Sequence, residues 1–241
     1  MAHIEVIAEY NDKGAMLWAD AYPGAYSRGE TVSMALEKFP KALSEYAAWA
    51  NGTPMPQLAE SDFVVTHAYQ TDLRVDDADS DVLFPSERLP MDMTEYTQKK
   101  QLCIRSAQNF EKLVASIPQK DRALRKSRRT FYGKIPCSAR EMEEHTNNAL
   151  EYYADALGVS FETEGDFIED RKRLFRAIES MPDFLSPRVF TARDGELWTL
   201  KKFLRRILWH DRIHAHALYR LAITFWSKDR IANPFCFTVE K

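Results

Sequence analysis

Two of the six histidines in this sequence are placed where they could bind one metal ion together. His210 and His214 are four residues apart in the segment LWHDRIHAHAL, and residues at this spacing are neighbours on one face of an α-helix, about 6 Å apart. A third imidazole, that of His145, is predicted to face inward from another helix. Three imidazole nitrogens leave coordination positions open for water or substrate, which is the composition of a catalytic metal site. Imidazole suits zinc, nickel, copper and iron(II), so these ligands alone do not choose the metal.

The inward placement follows from helical periodicity. Steps of seven residues along the last predicted helix give two adjacent lines that face a core, and each contains one histidine. The lines are Leu200, Ile207, His214 and Leu221, and Phe203, His210, Ala217 and Thr224. A buried imidazole without partners costs about 1–3 kcal/mol, and a shared cation would remove that cost. Core histidines with ordinary hydrogen bonds are the alternative.

Other side chains near these histidines have candidate roles in binding. Arg206 lies one turn before His210 and could hold an anionic cofactor, although residues 201–206 could also form the solvated side of the helix. Asp211 could orient a ligand imidazole or pair with an arginine of its own helix. Tyr152 is one heptad step from the third histidine and is a candidate for lining the pocket. No nucleophilic triad is predicted, so catalytic residues stay unassigned.

Composition limits the class of protein. The chain has 241 residues, 45% of them hydrophobic and 12% aromatic, so it can build a core and is not disordered. No stretch approaches the roughly 20 apolar residues of a membrane span, and the first residues include acids where a secretory leader needs a basic region. The three cysteines form no CxxC pair. A cytoplasmic location is therefore expected.

Charge is distributed unevenly along the chain. Residues 1–85 contain 5 basic and 14 acidic residues, whereas the remainder contains 28 and 22. This asymmetry predicts two domains, residues 1–80 and 91–241, joined by a linker over 81–90.

The first domain is predicted to be α+β with the order ββαβ. Alternating residues favour strands over 3–10, 15–21 and 62–71, and helical spacing favours a helix over 31–49. Pro40 predicts a kink in that helix or a late start.

The second domain is predicted to be an all-α, up-and-down four-helix bundle. Each of four segments has a single apolar seam, and Ser138 with Glu141 forms a capping box before the second helix. The predicted helices cover about 92–117, 138–157, 166–181 and 196–226. Between the first two lies a basic loop, 120–129, which raises nucleic-acid binding as a third alternative.

Residues 130–157 and 197–222 resemble the DinB-like superfamily of four-helix-bundle metalloproteins, over about residues 90–236. Members bind a divalent metal, usually zinc or nickel, through one histidine on the second helix and an HxxxH on the last. The resemblance therefore implies that His145, His210 and His214 are the ligands. Characterised relatives include enzymes that use low-molecular-weight thiols.

The first domain resembles the small HicB-like fold through its strand pair, Tyr22-Pro23-Gly24, and the helix and strand that follow. Antitoxins use that fold beside a DNA-binding segment. Because this domain is acidic and no such segment follows it, we do not expect it to bind nucleic acid directly. No membrane partner is expected, since no stretch of the sequence is apolar enough to span a bilayer. An accessory or dimerising role, with a homodimer as one form, is expected instead.

Two functions remain open from the sequence. One is a metal-dependent, thiol-using transferase or hydrolase-type enzyme that acts on a small-molecule substrate. The other is a non-catalytic, metal-stabilised interaction or stress protein whose acidic domain binds a partner. An open metal position that solvent can reach, with a pocket beside it, would favour the enzyme, whereas a sealed metal site would favour the interaction protein.

Overall fold

The computed structural model describes residues 3–55, 57–130 and 132–239. The chain divides into two compact units. The first contains residues 1–84, 130–133 and 235–241, and the second contains 85–129 and 134–234. The first is an α/β unit with a four-stranded sheet, and the second is helical. In the described part of the chain, no helix is both long enough and apolar enough to cross a membrane.

The first unit is built on a sheet with the strand order β3-β2-β1-β4. Its elements are β1 Ile4–Asn11, β2 Gly14–Ala19, β3 Tyr26–Gly29, α1 Val32–Asn51 and β4 Phe63–Gln70. β2 pairs antiparallel with β1 and β3, and β4 runs parallel to β1. The predicted order ββαβ lacked β3. That strand has only four residues, too few for an alternating pattern, and it is defined by its pairing with β2.

Helix α1 follows β3 closely and packs against β2 and β3. It begins at Val32, where the Thr31 side chain accepts a hydrogen bond from the Met34 amide, and it continues through Pro40, so the late start considered above is not observed. Gly29 is required at the approach of β3 to α1, because a Cβ there would lie 2.5 Å from the Ala35 nitrogen.

Two segments distant from the sheet in sequence complete the core of this unit. Val82 and Phe84, at the start of the predicted linker, are buried, and the Phe84 ring is centred 6.3 Å from that of Trp18. Near the C-terminus, the Phe235 ring is centred 5.6 Å from that of Trp49. The first unit is therefore not continuous in sequence.

The second unit contains four long helices close to the predicted positions. They are α2 Met93–Ala115, α3 Ala139–Ala156, α4 Phe167–Glu179 and α5 Leu200–Phe225. α2 contacts the other three, and α3 also contacts α4 and α5. Two short strand pairs lie between these helices in sequence. They are β5 Arg129–Thr130 with β6 Gly133–Lys134, of which residues 130–133 belong to the first unit, and β7 Phe190–Thr191 with β8 Leu197–Trp198. α5 begins later than predicted because β8 and the capping residue Thr199 occupy its expected first turn.

Local capping fixes where the histidine-bearing helices begin. The Ser138 side chain accepts a hydrogen bond from the Glu141 amide, and the Glu141 side chain accepts one from the Ser138 amide, so the predicted capping box is confirmed. Thr199 accepts a hydrogen bond from the Lys202 amide at the start of α5. These caps satisfy amides that the first helical turn leaves without backbone partners. They set the positions of the side chains two and three turns further on.

Candidate metal centre

Three histidines from two helices meet in the helical unit. His145 of α3 and His210 and His214 of α5 can each offer a ring nitrogen such that all three nitrogens lie within 4.8 Å of one another. The ring of His145 is centred 5.3 Å from that of His210 and 4.7 Å from that of His214. The three imidazoles that the sequence selected thus form one cluster that could hold a metal ion.

The spacing of the nitrogens fits a zinc-sized ion. The Nε2 atoms of His210 and His214 are 3.2 Å apart. Zinc binds imidazole nitrogen at about 2.0–2.1 Å with tetrahedral angles, which places two ligand nitrogens about 3.3 Å from each other. One proton can bridge the two Nε2 atoms in the metal-free protein, and a metal ion bound to both atoms would take the place of that proton.

Burial keeps these imidazoles neutral, which is the form that binds metal. All three side chains are half-buried. Burial is the largest cause that lowers the pKa of each ring, and it acts most strongly on His210 and His214. Neighbouring imidazoles add to the effect because two protonated rings would repel each other. A neutral ring always has one unprotonated nitrogen, so an ion competes with fewer protons here than it would at positively charged rings.

Asp211 has a different role from the one predicted. Both of its carboxylate oxygens accept hydrogen bonds from Arg171 of α4, at 2.9 and 3.0 Å, and both side chains are 1% exposed. The carboxylate therefore anchors α5 to α4 and does not orient a ligand imidazole. Arg171 also donates to the Cys103 carbonyl of α2, at 3.2 Å. Arg171 and Asp211 therefore connect α2, α4 and α5, and Asp211 is the residue next to His210.

Tyr152 does not line the histidine cluster. Its hydroxyl donates toward Glu196 at 2.7 Å and lies 3.1 Å from an Asp194 carboxylate oxygen, and the side chain is 42% exposed. The next residue, Tyr153, is buried instead, with its ring centred 5.9 Å from that of His210. Tyr153 lies three residues after Leu150 on the buried face of α3, and that spacing could have identified it.

The basic residues before His210 are buried, so residues 201–206 are not the solvated side of α5. Arg206 is 8% exposed and stacks over the Trp209 ring at 4.7 Å. Lys202 is fully buried, and its ammonium lies 2.8 Å from a Glu196 oxygen. Burial lowers the pKa of Lys202 to about 8 despite that carboxylate. Arg206 thus lies beside the cluster, whereas Lys202 forms an ion pair two turns away.

Comparison with known proteins gives no family for this chain. No protein-family model matches the sequence, and neither a curated protein nor a solved structure matches it.

The sequence did not predict that one further charged residue would affect the cluster. Arg125 lies in the basic loop 120–129, and its positive charge lowers the pKa of both His145 and His214. Its Nε–H group donates to the Pro136 carbonyl, at 2.8 Å, just before α3 begins. A loop arginine that is distant in sequence from both histidines carries no periodic signal, so its position depends on the fold.

The metal-free protein is expected to lose stability as the pH falls below about 6.5. The unfolded imidazoles titrate near that value, whereas the folded ones have lowered pKa values, so the unfolded state binds more protons below it. Each such imidazole then lowers the free energy of unfolding by roughly 1 kcal/mol for each unit by which the pH falls, until the pH reaches the pKa of that imidazole in the folded protein.

Urea unfolding at pH 7.5 and 5.5, in the presence of a chelator, measures this loss. His210→Asn should reduce the difference in the free energy of unfolding between pH 7.5 and pH 5.5. His67→Asn changes an exposed histidine on strand β4 and should leave that difference unchanged. An identical pH dependence in the parent protein and His210→Asn would show that His210 is not held neutral by the fold.

Proposed function

We propose that this chain binds one divalent ion, zinc or nickel, through His145, His210 and His214, and that it is a metal-dependent enzyme acting on a small molecule. The observation that carries the proposal is the convergence of three imidazole nitrogens within 4.8 Å from two separate helices. Three neutral nitrogen ligands give a divalent ion an incomplete coordination shell. The remaining position is where a substrate would bind.

The exposure of the rings supports an enzyme over a purely structural metal site. Each of the three histidines is only partly buried, and we propose that a bound ion keeps one position open to solvent. A structural zinc site is normally closed by four protein ligands. We therefore propose a transferase-type reaction that uses a low-molecular-weight thiol, because a divalent ion with an open position binds a thiol and favours its thiolate.

Residues around the cluster have defined parts in this proposal. Arg206 supplies a fixed positive charge one turn from His210, as an element of the wall of the site. Tyr153 remains protonated at neutral pH, because burial raises its pKa to about 12 even with Arg206 beside it. The ion pair of Arg171 with Asp211 holds the helix that bears His210.

We propose that α2, α3, α4 and α5 form a DinB-like up-and-down four-helix bundle and that the first unit is a HicB-like module with an accessory or dimerising role. The contacts among the four helices support the bundle. A cytoplasmic location is proposed from the three cysteines, which are all unpaired.

Metal analysis of the purified protein tests the proposal. We expect about one zinc or nickel ion per chain in the parent protein and a strong loss of metal in His145→Ala, His210→Ala and His214→Ala, because each change leaves only two of the ligands. His216→Ala is the matched control, since it removes an imidazole from the same helix two residues beyond His214. Undiminished metal in any of the three ligand variants would overturn the ligand assignment.

A second measurement separates the enzyme from the non-catalytic alternative. Cobalt(II) can replace zinc as a coloured probe, and a thiol that binds the ion changes its absorption spectrum. A change on addition of a small thiol supports an open position and therefore the enzyme. A spectrum that no thiol alters would favour a metal-stabilised interaction protein.

A further inference from the structure

Strand β4 forms one edge of the sheet in the first unit, and its composition suits it to pair with a further strand. It has eight residues, Phe63–Gln70, and none of them is an acid, a lysine, an arginine or a proline. Edge strands that stay unpaired are usually short, charged, interrupted by proline or covered by another segment. The opposite edge strand, β3, has such protection, since it has four residues, includes Arg28 and has α1 packed against it.

Much of β4 is open to solvent. Among the described elements it packs chiefly against β1, whereas α1 packs against β2 and β3. Val64 is 41% exposed, and the residues from Thr66 to Ala68 are exposed as well. The rings of His67 and Tyr69 stack on each other, with centres 6.3 Å apart. A register shift at Thr66 interrupts the pairing with β1 once, and the pairing after it is regular.

The outer backbone groups of β4 are placed to form hydrogen bonds. The Thr71 amide donates to the Tyr10 carbonyl of β1, at 3.1 Å, and the backbone of a strand points toward the same neighbour at every second residue. The N–H and C=O groups of Ala68 and Gln70 therefore point away from β1, toward the edge of the sheet. A further strand placed there can bond to both residues, as when an extended peptide adds to a sheet edge.

The charges at the ends of β4 indicate the charge of its partner. Glu60 and Asp62 precede the strand and Asp72 follows it, so acids flank it at both ends, and the unit as a whole is acidic. In the part of the chain that the structure describes, none of these three carboxylates forms an ion pair. The nearest basic residue in sequence, Arg74, is paired with Asp76 at 3.0 Å. An extended segment with basic residues at its ends would therefore complement this edge.

A second copy of this chain fits the edge less well. Two β4 strands related by a two-fold axis would run antiparallel, which places Glu60 and Asp62 of one copy near Asp72 of the other. Like charges opposite each other across a strand pair are destabilising. The charges thus favour a basic partner over a homodimer formed through β4.

We infer that β4 is a docking site for an extended, basic segment of a partner protein, which adds to the sheet as a fifth strand. The inference concerns the first unit alone and does not depend on the metal centre. It gives this unit an accessory role in which main-chain hydrogen bonds supply affinity and the flanking acids supply selectivity.

Two labelled peptides that differ only in the charge of their ends test the inference on the full chain. KKTVTVTKK has a β-forming centre and basic ends, and EETVTVTEE has the same centre with acidic ends. Fluorescence anisotropy should show that the basic peptide binds about tenfold more tightly, because attraction to the flanking acids becomes repulsion in the acidic peptide. The double variant Glu60→Gln with Asp72→Asn should reduce this preference to about twofold.

Two substitutions of Ala68 test the geometry. Ala68→Pro removes an outward N–H group, a change that an edge position tolerates, and should weaken binding of the basic peptide by about tenfold. Ala68→Lys leaves the backbone intact and places a positive charge on the edge, so it should weaken binding as well. Ala21→Lys is the control, because it adds the same charge at an exposed position in the turn after β2, and it should bind like the parent protein.

Three results would overturn the inference. One is equal affinity of the parent protein for the two peptides, or no binding of the basic peptide. Another is binding of the basic peptide that neither Ala68 variant weakens. The third is a full chain that sediments as a dimer and becomes monomeric in Ala68→Lys, since a second copy would then occupy the edge.

Discussion

Replacing Asp211 by alanine is expected to lower the free energy of unfolding by about 3–5 kcal/mol, because it leaves the Arg171 guanidinium buried without its counter-charge. Both side chains are 1% exposed and share two hydrogen bonds. The change would also release α5 from α4 at the residue beside His210. Urea unfolding of the metal-free protein, followed by far-UV circular dichroism, measures the loss without any contribution from bound metal.

The double variant Arg171→Met with Asp211→Leu separates the cost of an unpaired charge from the value of the pair. Apolar side chains of similar volume often replace a buried ion pair with little loss of stability. We therefore expect the double variant to be more stable than Asp211→Ala. If Asp211→Ala itself unfolded at the same urea concentration as the parent protein, the pair would not be an anchor of the helical unit.

Zinc is expected to raise the free energy of unfolding by about 4 kcal/mol when its free concentration is a thousand times its dissociation constant. The reason is that the three imidazoles lie together only in the folded chain, so an ion that binds all three stabilises the folded state selectively. Thermal unfolding of the chelator-treated protein, with and without added zinc, measures this gain.

The variants His145→Ala and His214→Ala should lose most of that gain, whereas His216→Ala should retain it. His145→Ala is the more informative of the two, since that residue is the only one of the three cluster members on α3. If zinc stabilised His145→Ala as much as the parent protein, the ion would be bound by α5 alone or at another place. A parent protein whose unfolding temperature zinc does not change would contradict a specific site.

The cluster of histidines could be predicted because it depends on short-range rules. The i, i+4 spacing of His210 and His214 puts both rings on one face of α5, and the capping box at Ser138 fixes the start of α3 and so the direction of His145. The four amphipathic helices were also predictable from periodicity. The spacing and the caps require no knowledge of distant contacts, whereas the approach of α3 to α5 is a tertiary contact.

The surroundings of the cluster depend on tertiary contacts and were predicted less well. Asp211 is paired with Arg171, 40 residues away on α4, rather than with an arginine of its own helix. Successive residues on a helix point about 100° apart, and a seven-residue step drifts from a straight line by about 20°. The prediction therefore selected Tyr152 where Tyr153 is buried.

The burial of basic side chains on α5 is a further feature that local sequence does not reveal. A run such as residues 201–206 is usually solvated, because an isolated buried cation is costly. Here Lys202 is buried against Glu196, and Arg205 is buried with Glu87, 118 residues away. Local sequence does not reveal strand β3 either, because its pairing with β2 defines it.

Anomalous diffraction at the zinc absorption edge, from crystals grown with zinc, tests the central claim most directly. We predict one strong peak in the helical unit, about 2.0–2.1 Å from one nitrogen of each of His145, His210 and His214. A peak bound instead to a cysteine sulfur at about 2.3 Å, or no peak among these three imidazoles, would contradict the account.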